Sequence, residues 1–188
     1  AGLGDDIVTG GAGVDTFVPV TDAQGNVIAD GYDKLLEARN LNFLIKDAQF
    51  VVTGEEADLL DPKKMVSINE VETSAGIFEE FNIRGGAGIN NFAVTDFTKI
   101  ATLDGTEGSD SYVITLSGVN TNQSSVYIVD SGTGSTDTDN VVITGGDGAD
   151  TLQLDADTAF GDDLHVVRVE APRLDQSRLH LRRDVSVL

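Results

Sequence analysis

Apolar residues along this chain come in short β-branched runs and not at helical spacing. Ile128-Val129, Val141-Val142-Ile143 and Val166-Val167 are such runs, and residues 43–52 form a longer apolar stretch interrupted by Lys46-Asp47 and Gln49. Gly25-Asn26, Asp30-Gly31 and Asp61-Pro62 are turn signals between them. Leu179, Leu181, Val185 and Val187 alternate, which suits strands. One segment departs from this pattern. Residues 33–40, DKLLEARN, place Leu35, Leu36 and Ala38 on a short apolar face and predict a helix of two turns at most.

Composition sharpens the picture. The chain has 188 residues with 21 Val, 11 Ile and 17 Thr, types that favour strands. Its 21 glycines exceed the usual share of about 7 % and imply many turns. Acids number 32 against 12 Lys and Arg, a formal charge of −20 at pH 7. That charge argues against nucleic acid and anionic membranes as partners, since both select basic surfaces. Asp outnumbers Glu by 23 to 9, a bias toward turns and hard-cation ligation. Cysteine is absent, which excludes disulfides, zinc–thiolate sites and thiol nucleophiles. An exported chain without disulfides relies on size, metal or repetition instead. No apolar run approaches the ~18 residues of a membrane-spanning helix. The opening AGLGDD has no basic or apolar leader segment and reads as the interior of a longer array.

Internal repetition is the strongest signal. Gly10-Gly11-Ala12-Gly13-Val14-Asp15-Thr16-Phe17-Val18 fits G-G-x-G-x-D-x-U-x, where U is a large apolar residue. Residues 1–9 fit in the same register, with Asp6 and Val8 in place. Residues 145–153, GGDGADTLQ, match completely, with Asp150 in the acid slot and Asp147 nearby. Residues 85–93 carry Asn90 in that slot, and residues 105–113 keep Asp110 but have Thr106 for the second Gly. A degenerate form lies at Asp137-Thr138-Asp139-Asn140-Val141. Motif starts at 85, 105 and 145 are 20 and 40 residues apart, so a repeat of about 20 residues is expected. Val8, Phe17, Phe92, Tyr112 and Leu152 fill the U slots and predict one apolar stripe. Taken singly, a Gly-x-Gly-x-Asp loop is also ordinary turn chemistry, with Asp bonding its own backbone.

On these residues the chain resembles the RTX (hemolysin-type calcium-binding) repeat family, above all the giant bacterial exoproteins that mix such nonapeptides with longer β-rich stretches. The resemblance is best over 1–18 and 82–157, thinner over 40–81 and poor after 164. It implies an all-β fold, a parallel β-solenoid (β-roll or β-helix-like) with Gly/Asp-rich turns. It implies Ca2+ as cofactor, with Asp6, Asp15, Asn90, Asp110, Asp147 and Asp150 as ligands. Ca2+ takes six to eight oxygens, so loops of successive turns would share each ion, and Asp110, Asp147 and Asp150 are expected on one edge. Metal binding would then supply folding energy. The expected organisation is two nonapeptides over 1–18, a divergent β-rich stretch over 19–81, solenoid over 82–163 and a basic strand tail over 164–188. That tail holds five arginines against three acids.

Catalytic constellations are weak. His165 and His180 have no third ligand at metal spacing, and the pairs Glu79-Glu80 and Asp162-Asp163 fall on opposite strand faces and read as solvated. Gly132-Thr133-Gly134-Ser135 lacks the lysine of a phosphate-binding loop, and no G-x-S-x-G elbow occurs. The leading expectation is a non-enzymatic structural segment of a large secreted or cell-surface protein, an adhesin stalk, spacer or filament. Its partners would be flanking repeats of the same polypeptide, like subunits, or cell-surface and matrix polysaccharide. One alternative is a polysaccharide-active enzyme on a parallel β-helix, with Arg84 or Arg168 beside a groove. Another is the export and folding module of a secreted toxin or hydrolase.

Overall fold

The computed structural model describes residues 4–14, 17–28, 31–58, 60–72, 77–115, 125–129, 131–133, 137–145, 149–155, 166–173 and 178–182, the last three stretches as backbone alone. Among them are β1 (Ile7–Thr9), β2 (Lys34–Ala38), β3 (Asn42–Ile45), β4 (Phe50–Ala57), β5 (Met65–Glu72), β6 (Glu80–Arg84) and β7 (Asn91–Val94). There follow β8 (Ile100–Asp104), β9 (Ser111–Thr115), β10 (Ser125–Ile128), β11 (Asn140–Thr144), β12 (Ala149–Asp155), β13 (Val166–Arg173) and β14 (Arg178–Arg182). They form two seven-stranded sheets, ordered β1-β2-β6-β8-β10-β13-β12 and β14-β11-β9-β7-β3-β4-β5.

The chain is all-β, as expected, but the parallel solenoid is not what forms. Both sheets are mixed: five of the twelve strand pairings are antiparallel. The step along the parallel stretch is also uneven. Phe43 pairs with Phe92, Phe92 with Tyr112 and Tyr112 with Val141, steps of 49, 20 and 29 residues. The 20-residue spacing therefore holds for one step in this sheet. The largest departure is the antiparallel run from β3 through the β4–β5 hairpin, and the cause of its first turn is local. Lys46 and Gln49 bond each other through their backbones (2.9 and 3.4 Å), so the chain reverses and β4 runs back along β3. The polar interruption inside residues 43–52 is a hairpin turn.

A second correction concerns residues 33–40. Lys34–Ala38 is a strand, not a helix, with alternating burial that turns Leu35 and Glu37 inward. β2 pairs with β1 on one side and β6 on the other, which satisfies its backbone across both edges. A two-turn helix, too short to be stable alone, offers nothing comparable.

The core lies between the sheets. Leu35, Phe81, Ala101 and Val126 occupy one row of the first sheet, and Phe43, Phe92, Tyr112 and Val141 one row of the second. All eight are buried. Phe92 stacks on Phe43 (centroids 5.3 Å) and on Tyr112 (5.0 Å) because a parallel register places like positions directly beside one another. Each such pair adds about 0.5–1.5 kcal/mol beyond its area burial. Phe78, Phe81 and Phe97 fill the space beyond, and Phe17 meets Phe78 edge to face at 4.8 Å. The U positions Phe92 and Tyr112 thus share one interior. Leu152 lies on β12, in the other sheet.

Candidate functional site

The loops before β7, β9 and β11 lie side by side because Asn91, Ser111 and Asn140 are in register. Asn90, Asp110 and Asp139 are therefore successive positions of one corner. Side chains bridge these positions to backbone. The Asn90 amide donates to Asp110 Oδ1 at 2.7 Å, and the Asp110 amide donates to Asp139 Oδ1 at 2.8 Å. Gly108 N–H donates to Asp137 Oδ2 at 3.1 Å, and Thr106 Oγ1 donates to the Gly86 carbonyl at 2.7 Å. Parallel strands leave their entry amides facing the neighbouring loop, and these acceptors satisfy them.

Two of these positions differ sharply. Asn90, fully buried, is satisfied at both ends of its amide. Its Oδ1 accepts from Gly86 N–H (2.9 Å), and its Nδ2 donates to the Leu41 carbonyl (2.8 Å) and to Asn40 Oδ1 (3.2 Å). Asp110 is 1 % exposed, and its Oδ2 has no hydrogen-bond partner. The cause sits at Thr106, where the second Gly of the repeat is missing. Its φ is 68°, and its N–H turns to Asp104 Oδ1 (3.1 Å), whereas Gly86 turns to the buried acid-slot side chain. Asp104 also accepts from the Ser131 amide (3.0 Å) and hydroxyl (2.9 Å). Burial pushes the Asp110 carboxyl up to about 6; the Asn90 amide opposes this, while Asp139, Asp137 and Asp104 push the same way. Gly105 is required beside it, because a Cβ there would overlap Asp110 Oδ2 and the Tyr112 hydroxyl. That hydroxyl accepts from Gly105 N–H at 2.7 Å.

The first Gly-rich loop is built otherwise. Gly10 N–H donates to the Leu36 carbonyl (2.9 Å), and Gly13 N–H donates to Glu70 Oε1 (2.8 Å). Arg39, just after β2, donates through Nη1 to the Gly11 carbonyl (3.0 Å) and to Glu70 Oε2, and through Nη2 to Glu56 Oε1 (2.8 Å). The Arg39 and Glu70 side chains are each 9 % exposed. Burial would lower the arginine's pKa, but the bonds to Glu70 and Glu56 outweigh it and the pKa is raised.

Against the expected calcium ligands, Asp110 and Asn90 occupy adjacent steps of one corner, and the next is Asp139. Asp150 sits in β12 at a register irregularity between Ala149 and Thr151, in the opposite sheet from β9. Asp6 lies beside β1, where its amide donates to Asp33 Oδ1 (2.9 Å) and its carbonyl accepts from Lys34 N–H (2.9 Å). Asp15 and Asp147 lie outside the described residues. Among the described residues, no group of three or more His, Asp or Glu side chains is arranged to hold a metal ion.

The fit to calcium thus differs between the loops. At Asp110, a buried carboxylate oxygen without a partner fits a cation, whose remaining ligands would be carbonyls and water. At Asn90 the amide is fully satisfied. At residues 10–13 a guanidinium already holds the Gly11 carbonyl, and Glu70 holds the Gly13 N–H. Of the arginines expected beside a groove, Arg84 has a 61 % exposed side chain 3.4 Å from Asp104 Oδ2; the side chain of Arg168 is not among those described. Nor is Glu79-Glu80 merely solvated: Glu79 accepts from the Asp33 amide (2.8 Å), and Glu80 pairs with Lys34 (2.9 Å). Asp139 was legible as a degenerate repeat. Arg39 and Glu70 carried no motif.

No family model, curated protein or solved structure matches this chain.

Proposed function

We propose that this chain is a non-catalytic structural segment of a larger secreted or cell-surface protein, serving as a spacer or stalk and stiffened by calcium at the Asp110 corner. The observation that carries this is the orphaned Asp110 Oδ2, buried beside Asp139 and Asp137, each of which has an oxygen bound by a backbone amide. An arrangement of that kind spends its charged groups on joining one strand pair to the next. A cation there offsets repulsion from Asp139, Asp137 and Asp104 and supplies the missing partner. Extracellular calcium suits a site of modest affinity, in the 10⁻⁴–10⁻³ M class of roughly extracellular modules. Flanking repeats, like subunits or surface polysaccharide are the partners that this role requires.

The test is thermal melting followed by circular dichroism during a calcium titration, with magnesium as control. At tenfold excess over Kd, calcium should add about 1.4 kcal/mol and raise Tm by roughly 3–6 °C. Asp110→Asn should abolish the shift. A calcium response that survives Asp110→Asn, or no response in the parent, removes calcium from the proposal.

A further inference from the structure

We infer that Arg39 is the resident cation of the loop at residues 10–13, so that this loop, unlike the Asp110 corner, closes without calcium. The calcium at Asp110 rests on the function proposed above; the role of Arg39 does not.

The loop matches the calcium-type repeat at every fixed slot, yet its backbone is held by protein groups. Gly11 presents its carbonyl to Arg39 Nη1, and Gly13 presents its N–H to Glu70 Oε1. The same guanidinium binds Glu56 from β4 and Glu70 from β5. One planar, permanently charged fork therefore joins the loop, the end of β2 and the β4–β5 hairpin. A guanidinium suits this task because its five donors diverge in one plane and serve a carbonyl and two carboxylates together. A divalent ion bound to the same carbonyl would meet this fixed positive charge at close range, with Glu70 already committed. The contrast with Asp110 is direct. There the neighbours are acids, and Arg84 is paired with Asp104.

Hydrogen exchange on the full chain, read by mass spectrometry with excess calcium and with chelator, tests this. In the parent, the Gly13 amide should be equally protected under both conditions. Arg39→Met should lower that protection at least about tenfold in either condition, while amides of β6 to β9 stay protected and show the fold intact. Arg39→Lys, a point charge without the fork, should give an intermediate loss, and it serves if Arg39→Met does not fold. Loss of Gly13 protection on chelation in the parent, or parental protection in Arg39→Lys and Arg39→Met, overturns the inference. The calcium-induced Tm shift in the same parent sample reports separately on Asp110. Its absence would sink the calcium proposal while the exchange result still decides Arg39.

Discussion

Asn90 and Asp110 occupy the same slot of the same repeat, one step apart, and are both buried, yet one is satisfied and the other is not. Asn90 faces the Leu41 carbonyl, an acceptor, and needs a donor to meet it. Asp110 faces the Asn90 amide, a donor, and needs only an acceptor. Each residue is therefore chosen by the backbone group before it. The remaining oxygen is decided by the second residue of each loop, Gly86 in one and Thr106 in the other. An acid-slot residue is thus fixed by its neighbours' hydrogen-bonding sense, and the charge it carries follows from that.

Exchanging the two chemistries should have the largest effect. Asn90→Asp sets a carboxylate oxygen against the Leu41 carbonyl and Asn40 Oδ1, and leaves the Leu41 carbonyl without its donor. Denaturant unfolding in calcium-free buffer at pH 7 should show a loss of about 3 kcal/mol. Gly105→Ala should cost about 2 kcal/mol, because Asp110 and Tyr112 cannot both retreat inside a packed core. By contrast Gly11→Ala, at the second slot of the first loop with open space around the added methyl, should stay within about 0.5 kcal/mol. Asp110→Asn should instead stabilise the calcium-free protein at pH 7, by about 1–2 kcal/mol.

The same pair predicts a pH dependence. A carboxyl raised from 3.8 to about 6 in the fold binds its proton more tightly there than in the unfolded chain. Its contribution is therefore fully present below pH ~4 and is lost as pH rises through about 6. Calcium-free melts between these limits should show the parent weakening with rising pH relative to Asp110→Asn, in which this titration is gone. A more modest loss is expected of Tyr112→Phe. It removes the acceptor for Gly105 N–H and should cost about 1 kcal/mol by the same unfolding measurement.

Much of the strand content was legible because it is local. Phe92 and Val94, Tyr112 and Ile114, and Val141 and Ile143 alternate with outward residues, and each set is buried in its strand. The topology was not legible in the same way. Lys46–Gln49 reads as a flaw in an apolar stretch, and only its pairing shows a reversal. Residues 33–40 have a helical spacing that a ladder on both edges overrides. The step of 29 residues from Asp110 to Asp139 hid the true neighbour, since a 20-residue repeat drew attention to the complete motif with Asp150, two turns on. Arg39 and Glu70 are 31 residues apart, and nothing in either local sequence announces the other.

The uneven steps of 49, 20 and 29 residues carry a consequence for any mechanical role. Neighbouring strands lie about 4.8 Å apart however much chain separates them. Physical reach is therefore metered in rungs, and residue count is a poor gauge of it. The β4–β5 hairpin is added along that same direction: β4 pairs with the free edge of β3 and β5 with β4, so one end of the sheet gains two rungs. A hairpin gained or shed at that edge changes the length of its sheet by two strands, about 10 Å.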